Sequence, residues 1–291
     1  MKDTFKIQLT LAFLIFSMSL LAGGGWPQPK GKSFIKLSQW WSVGDKHYTD
    51  TGELDDNVTL GIFNSSIYAE HGFTDRLTGI IYFPFFSRSY NNNLVSMTNG
   101  EILVPGDAIN SIGDTDIMLK YGLTKKGSKI AVAGTILFGL PFGNDEGGIF
   151  KNLQTGDGEF NQMIQFDAGT GIRLGGKFDM YTNAYVGYNN RTKGFSDEVR
   201  FGAEVGIGFN NYKWLFITRL NVLKSTKNGD LPSQINSTSI FANNTEYTSL
   251  GFELNYSITD NVGVSAGYAT ATSGRIIIAS PSYSVGIFIK L

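Results

Sequence analysis

Cysteine is absent from this chain of 291 residues. Its absence excludes a disulfide framework, a thiolate metal site, a cysteine nucleophile and a lipid-modified N-terminal cysteine. Histidine occurs twice, at His47 and His71. A zinc site needs three or four ligands, so two histidines far apart in sequence do not supply one, and both read as polar loop residues. Charge of one sign is also missing. The formal net charge is −1, which gives no basic face for nucleic acid. Long apolar runs are confined to the N-terminus. Beyond it the longest are GIIYFPFF at 79–86, IAVAGTILFGLPF at 130–142 and RIIIA at 275–279, all too short or too interrupted for a spanning helix of ~20 residues.

The N-terminus carries Lys2 and Lys6, then the apolar run Ile7–Ala22, then GGGWPQP. That is the layout of a secretory signal peptide, and cleavage is expected between Ala22 and Gly25. We take residues 1–25 as the signal peptide and 26–291 as one domain. An N-terminal membrane anchor is the competing reading. Glycine is abundant at 36 residues, above the usual ~7%, and aromatics make up 13%.

The apolar residues recur with period two. Thr248, Leu250, Phe252, Leu254 and Tyr256 alternate with Ser249, Gly251, Glu253 and Asn255. Tyr283, Val285, Ile287, Ile289 and Leu291 alternate with Ser284, Gly286, Phe288 and Lys290. Such alternation describes strands with one apolar face and one polar or small face. A phrase is repeated at the strand junctions: GFTDRL after Tyr68, GLTKKG after Tyr121, SITDNV after Tyr256. Its Thr, Asp, Asn and Gly suit tight hairpin turns. LGGKFD at 174–179 and FNNYKW at 209–214 complete five short turns. Longer polar stretches at 44–57, 88–112, 141–160, 189–198, 225–245 and 272–281 alternate with them.

The pattern predicts twelve strands, near 32–43, 58–70, 76–88, 113–122, 129–140, 160–174, 178–189, 198–209, 213–224, 245–257, 261–271 and 282–291. An even number of ~10-residue alternating strands, with short and long connections in strict turn, is the signature of a transmembrane antiparallel up-and-down β-barrel of the outer-membrane type. Both termini are then periplasmic. A secreted β-sandwich would alternate too, but its strands would be shorter and would not need aromatics at their ends. Here Trp40, Trp41, Tyr68, Tyr121, Tyr188, Trp214, Tyr256, Tyr268 and Tyr283 cluster there, as interfacial girdles require. About ten residues separate the cleavage zone from Phe34. That leaves no room for a globular plug, so any constriction comes from loops, this short segment or lumen side chains.

Charged residues within strands fall on the polar set: Asp114, Asp116, Lys120, Asp167, Arg173, Glu204, Arg219, Glu253 and Lys290. A lipid-facing Arg or Lys costs ~2–4 kcal/mol near mid-membrane, so these nine are candidates for lining the lumen. A salt-bridge network filling a narrow interior and a solute path are the two readings of them. Gly202, Gly206 and Gly208 share a face with Glu204, and Gly169 with Gly171. In a strand they read as a smooth lumen wall rather than a phosphate loop, which needs a strand-turn-helix context. No catalytic residue, metal or cofactor is expected. The twelve-stranded outer-membrane phospholipase A is the enzyme to test, and its histidine-to-serine motif is missing.

The block IGDTDIMLKYGLTKKGSKIAVAGTILFGLPFGNDEG at 112–147 resembles outer-membrane proteins grouped as the MetA-pathway of phenol degradation family. The shared residues are Gly113, Asp114, Lys120, Tyr121, Leu140, Pro141, Gly143, Thr155, Gly156 and Gly158, over about residues 58–175. The chain departs from that pattern in ending at Leu291 where such barrels commonly end in Phe. The resemblance implies a passive channel or transporter for small molecules, hydrophobic or aromatic ones included. Its partners would be outer-membrane lipid and lipopolysaccharide, the barrel assembly machinery and an unidentified solute, with no nucleic acid. The alternative is a structural or adhesive barrel whose external loops bind a partner.

Overall fold

A computed structural model describes residues 24–56, 60–96, 98–173, 178–231 and 240–291. The signal-peptide expectation and most of the turn at 174–179 therefore lie outside the described residues, as does the middle of the loop at 225–245. Twelve strands form the wall: β1 Ser33–Gly44, β2 Leu60–Gly72, β3 Leu77–Asn91, β4 in two pieces (Asp107–Ser111 and Thr115–Gly122), β5 Ala131–Leu140, β6 Asn161–Arg173, β7 Phe178–Asn190, β8 Glu198–Phe209, β9 Trp214–Ser225, β10 Glu246–Ser257, β11 Val262–Arg275 and β12 Ser282–Lys290. Each pairs antiparallel with its sequence neighbour. β1 pairs with β12 from Phe34↔Lys290 to Ser42↔Ser282, and this closes the barrel. Closure satisfies both edges, the condition for a sheet to sit in hydrocarbon.

The period-two pattern becomes the two faces of the wall. In β12, Val285 and Ile287 are 48% and 52% exposed while Phe288 between their faces is 3% exposed. Ile117, Leu119, Ile136, Phe166 and Val186 belong to the same exposed apolar outer surface. The inner surface carries buried Thr78, Lys120, Thr135, Asp167, Asn183 and Asn255. The fold is thus inverted relative to a soluble domain, apolar outside and polar inside, because lipid replaces water around it.

The repeated phrase builds the same tight turn twice and a longer relative of it once. The Thr74 hydroxyl accepts the Arg76 and Leu77 amides (3.2 and 2.9 Å), and that of Thr259 accepts the Asn261 and Val262 amides (3.3 and 3.0 Å). The Thr124 hydroxyl accepts the Val132 amide (3.0 Å). The residue before each Thr closes the hairpin, with Phe73 N–H on Leu77 O, Leu123 N–H on Val132 O and Ile258 N–H on Val262 O (2.8–2.9 Å). The turn after β8 works differently. Asn210, Asn211 and Tyr212 take φ of 54°, 54° and 58°, a left-handed run that asparagine tolerates.

Three expectations need correction. The fourth strand begins earlier than residue 113 and is interrupted at 112–114. Its upper piece, Asp107–Ser111, pairs with the upper end of β3, and the loop before it carries a hairpin of Leu94–Val95 with Ile102–Val104. Trp40 and Tyr68 do not join the aromatic girdle. Trp40 packs inward against a buried cluster of Leu60, Ile62, Leu153 and Ile278, and the Tyr68 hydroxyl donates to Glu70 inside the barrel. The other girdle residues remain outside, among them Trp41 stacked on Tyr283 (5.9 Å) and Trp214 tilted against Tyr256 (4.4 Å). The third correction, to the glycine wall, belongs with the site.

Candidate functional site

The short-turn end of the lumen is crossed by the segment ahead of β1. The Gly25 amide donates to Asn183 Oδ1 (3.1 Å). Trp26 meets Tyr181 edge to face at 6.0 Å. The Gln28 amide donates to Thr78 Oγ1 (2.8 Å), and its side-chain amide to Glu70 (3.2 Å). The Gly31 amide then reaches the Gly72 carbonyl (2.8 Å). Residues 25–31 therefore span from β7 to β2 and β3, pinned at both ends. Glycine allows the approach. A Cβ on Gly25 would sit 2.2 Å from the Ala131 carbonyl oxygen, and one on Gly169 2.4 Å from the Trp26 ring.

The glycines of β8 are not a smooth open wall. A Cβ on Gly202 would meet the Tyr185 ring at 2.8 Å, one on Gly206 the Tyr181 ring at 1.9 Å and one on Gly208 the Tyr212 ring at 2.3 Å. Each glycine is the seat of an aromatic ring from a neighbouring strand or turn, so this side of the lumen is filled.

A charge ladder crosses the adjoining wall. Lys36 Nζ on β1 pairs with Glu253 (2.9 Å). Arg219 on β9 donates to both Glu253 (2.8 Å) and Glu204 (2.5 Å). The Tyr181 hydroxyl donates to Glu204 (2.5 Å). Three of the nine sequence candidates, Glu204, Arg219 and Glu253, thus come together. Asp167 is buried and accepts from Gln165 (2.9 Å), and Lys120 is buried on the same face. Asp116 is half-buried across from Gly139. Lys290 Nζ lies 5.2 Å from the Phe288 ring centre. Asp114 lies in the break of β4 and accepts the amides of Gly143 (2.8 Å) and Asp157 (2.7 Å). The side chain of Arg173 lies outside the described residues.

The long-loop end is capped. Leu153, from the loop at 141–160, is 1% exposed within the Leu60–Ile62–Ile278 cluster. Arg191 fastens the same loop to β8, with Asp157 (2.9 Å), Glu159 (2.7 Å) and Glu198 (2.9 Å) around its guanidinium and Phe195 over its face at 4.3 Å. Asp197 ties two loops together. It accepts from the Arg191 amide (2.8 Å), Asn190 (3.0 Å), Tyr188 (2.7 Å) and Asn228 (2.8 Å). Burial pushes its carboxyl pKa up, and these hydrogen bonds outweigh that and leave it below the ordinary value. Sequence reading missed Arg191 and its partners because nothing in a loop marks which carboxylates will converge. Lys36 was missed as well, although period two places it on an inward position.

Among the described residues, three cavities between cap and charge ladder share Trp40 in their lining. One of about 220 Å³ is bounded by Ile62, Tyr247, Ile277 and Ile278. A second of about 200 Å³ is bounded by Asn64, Tyr82, Ser87 and Thr155. A third of about 120 Å³ descends along Gly251, Gly267 and Ser284 to Arg219 and Glu253. Among the described residues, no group of three or more His, Cys, Asp or Glu side chains could hold a metal.

No protein-family profile and no curated protein sequence matches the chain. The COG4313 outer membrane channel from Pseudomonas putida F1 is similar in fold, with a TM-score of 0.58 and 14% identity over 94% of this chain and 100% of that one. The NanC porin aligns over 88% of this chain and 100% of its own at 10% identity and a TM-score of 0.46. The Ralstonia pickettii toluene transporter TbuX aligns over 90% of both chains at 10% identity and a TM-score of 0.39. Closure in twelve antiparallel strands, the apolar outer face and the shared fold of the COG4313 channel make this chain an outer-membrane β-barrel.

Proposed function

We propose that the chain is a passive channel for small molecules, secreted by a cleaved signal peptide at residues 1–25 and assembled with both termini in the periplasm. The observation that carries this reading is the run of cavities sharing Trp40. Two of them follow the wall of β10, β11, β12 and β1, whose inward residues include Ser249, Gly251, Gly267, Ser284 and Ser38. The opposite wall is packed with tyrosine. A solute enters beneath the loop cap, passes Trp40 and meets the ladder of Lys36, Glu253, Arg219 and Glu204. Asp114, Asp116, Lys120, Asp167, Arg173 and Lys290 set the remaining charge of the path. The upper cavity suits a small apolar ring, since a dry cavity of ~150 Å³ takes up benzene. This agrees with the resemblance to the phenol-degradation family and with the channel described for the COG4313 protein.

Planar-bilayer recording tests the proposal. A Cβ on Gly251 finds its nearest neighbours at 3.4 Å, so a side chain fits there. Gly251→Trp should lower single-channel conductance several-fold and Trp40→Ala should raise it. Conductance indifferent to both would place the path elsewhere. The adhesive reading draws on exposed Ile102, Leu103, Ile149 and Phe150 in the external loops. It requires that replacing them with Ser abolish cell–cell or surface attachment while conductance is unchanged.

A further inference from the structure

Among the described residues, buried charges are paired or hydrogen-bonded with one exception. Arg191, Asp197, Glu198 and Glu246 are held in this way at the mouth, and Glu70 and Asp167 accept hydrogen bonds inside the barrel. Lys120 is 5% exposed and makes neither a hydrogen bond nor an ion pair among the described residues. An ammonium carries three N–H donors, and burying it with none of them matched is costly.

The surroundings of Lys120 define the partner it fits. It stands in a row of inward residues that crosses four strands, with Thr78 on β3 and Thr135 on β5 beside it and Gln165 on β6 next to Thr135. Thr135 is also 5% exposed, and its hydroxyl has no hydrogen-bond partner. Glu70 lies one row toward the mouth, and Asp167 one row toward the short turns. Neither pairs with Lys120. Glu70 accepts from the Tyr68 hydroxyl and from the Gln28 side-chain amide (3.2 Å). Asp167 accepts from the side-chain amides of Gln165 (2.9 Å) and Asn183 (3.4 Å). Four uncharged groups thus satisfy the two carboxylates and leave the ammonium open. The same carboxylates limit what can join it. A singly charged anion is matched by one ammonium, whereas a dianion is repelled from both sides.

The position suits a solute in transit. Lys36 of the charge ladder shares a row with Tyr68, Tyr82 and Asp116, and Lys120 lies two inward positions beyond Asp116 toward the short turns. The next inward position, Gly122, seats the crossing segment, since a Cβ there would lie 2.7 Å from the Pro27 ring. The Gln28 amide rests on Thr78 Oγ1 (2.8 Å). Lys120 therefore sits just inside the crossing, where a solute that has passed Arg219 and Glu253 is detained. We propose that Lys120, with the Thr135 hydroxyl beside it, is an inner binding station for the carboxylate of a small monoanionic solute. The inference rests on the channel reading, which brings the solute to it.

Block of the potassium chloride current in planar bilayers tests the station. Benzoate is the probe, benzamide its uncharged counterpart and inorganic phosphate the multiply charged one. Benzoate should block the wild-type channel at concentrations about tenfold below those at which benzamide or phosphate does. Lys120→Met keeps the length of the side chain, removes the charge and should weaken benzoate block about tenfold. Lys120→Arg should retain the block, and Thr135→Val should weaken it several-fold. A merely structural Lys120 would leave the block of assembled Lys120→Met channels untouched, and that result overturns the station. Equal block by benzamide overturns it too, because the ring alone would then be held. Equal block by phosphate overturns it as unselective attraction of anions. If Lys120→Met does not assemble, Thr135→Val decides: a weakened block supports the station and an unchanged one overturns it. A wild-type protein that conducts without benzoate block overturns the station and leaves the channel standing. One that does not conduct removes both.

Discussion

Arg191 shows how much one side chain can hold at the mouth. Its guanidinium is 3% exposed and meets three carboxylates, so its removal leaves buried charges unpaired. Arg191→Met is expected to cost ~3–5 kcal/mol in urea unfolding from liposomes. Lys151→Ala, which breaks the fully exposed pair with Glu146, should change nothing measurable. Asp197 carries a pH dependence. Its folded-state pKa lies below the ordinary value, so the unfolded chain binds the proton more readily. The stabilisation is complete above the unfolded-state value of ~3.9 and is lost as pH falls through the folded one. Protease cleavage in the loops at 191–197 and 226–231 should therefore accelerate at acidic pH and stay slow at neutral pH. Asp197→Asn should be cleaved quickly at both. At this scale the sequence was informative only inside strands. Glu204, Arg219 and Glu253 were found because period two forces a charge off the lipid face. Arg191 and Trp26 lie outside the strands, where no spacing rule applies.

At the scale of the element, period two makes a sharp claim about β4. Ile117 is 43% exposed on the lipid face and Asp116 faces inward. Ile117→Lys should cost ~2–4 kcal/mol near the midplane in liposome unfolding. Asp116→Asn should leave folding nearly intact and shift the reversal potential in a salt gradient. Equal tolerance of the two substitutions would mean the register is misread. The segment at 25–31 makes a second claim. It crosses the lumen on contacts to Asn183, Thr78 and Glu70, so deleting residues 24–30 should raise single-channel conductance several-fold without preventing assembly. Most strand limits were readable to within two or three residues, since turn chemistry marks them locally. The split of β4 was not, because it depends on Pro84 in a different strand. The β8 glycines were misread for the same reason. A glycine on an inward face is an open wall or a seat for a ring, and Tyr181 and Tyr185 on the next strand decide which.

For the whole molecule the expectation is a topology. Ser33 and Leu291 exchange backbone hydrogen bonds (3.1 and 2.9 Å) at the end that also holds the four short turns among the described residues. A cysteine placed at Thr51 or Asn99 should react with a membrane-impermeant maleimide on intact cells. One placed at Asp75 should react only after the outer membrane is permeabilised, and the reverse pattern would invert the barrel. What the sequence by itself determined is the class of fold, the strand count and the order of short and long connections. These follow from alternation and turn residues, which act between neighbours a few positions apart. Tertiary structure alone decided where the lumen is filled and where it is open. Trp40 and Tyr68 turned inward, loop residue Leu153 packed into the cluster under the cap, and the stretch before β1 crossed the opposite end. Closing the barrel brings residues more than a hundred positions apart within bonding distance, and no local pattern encodes which of them will meet.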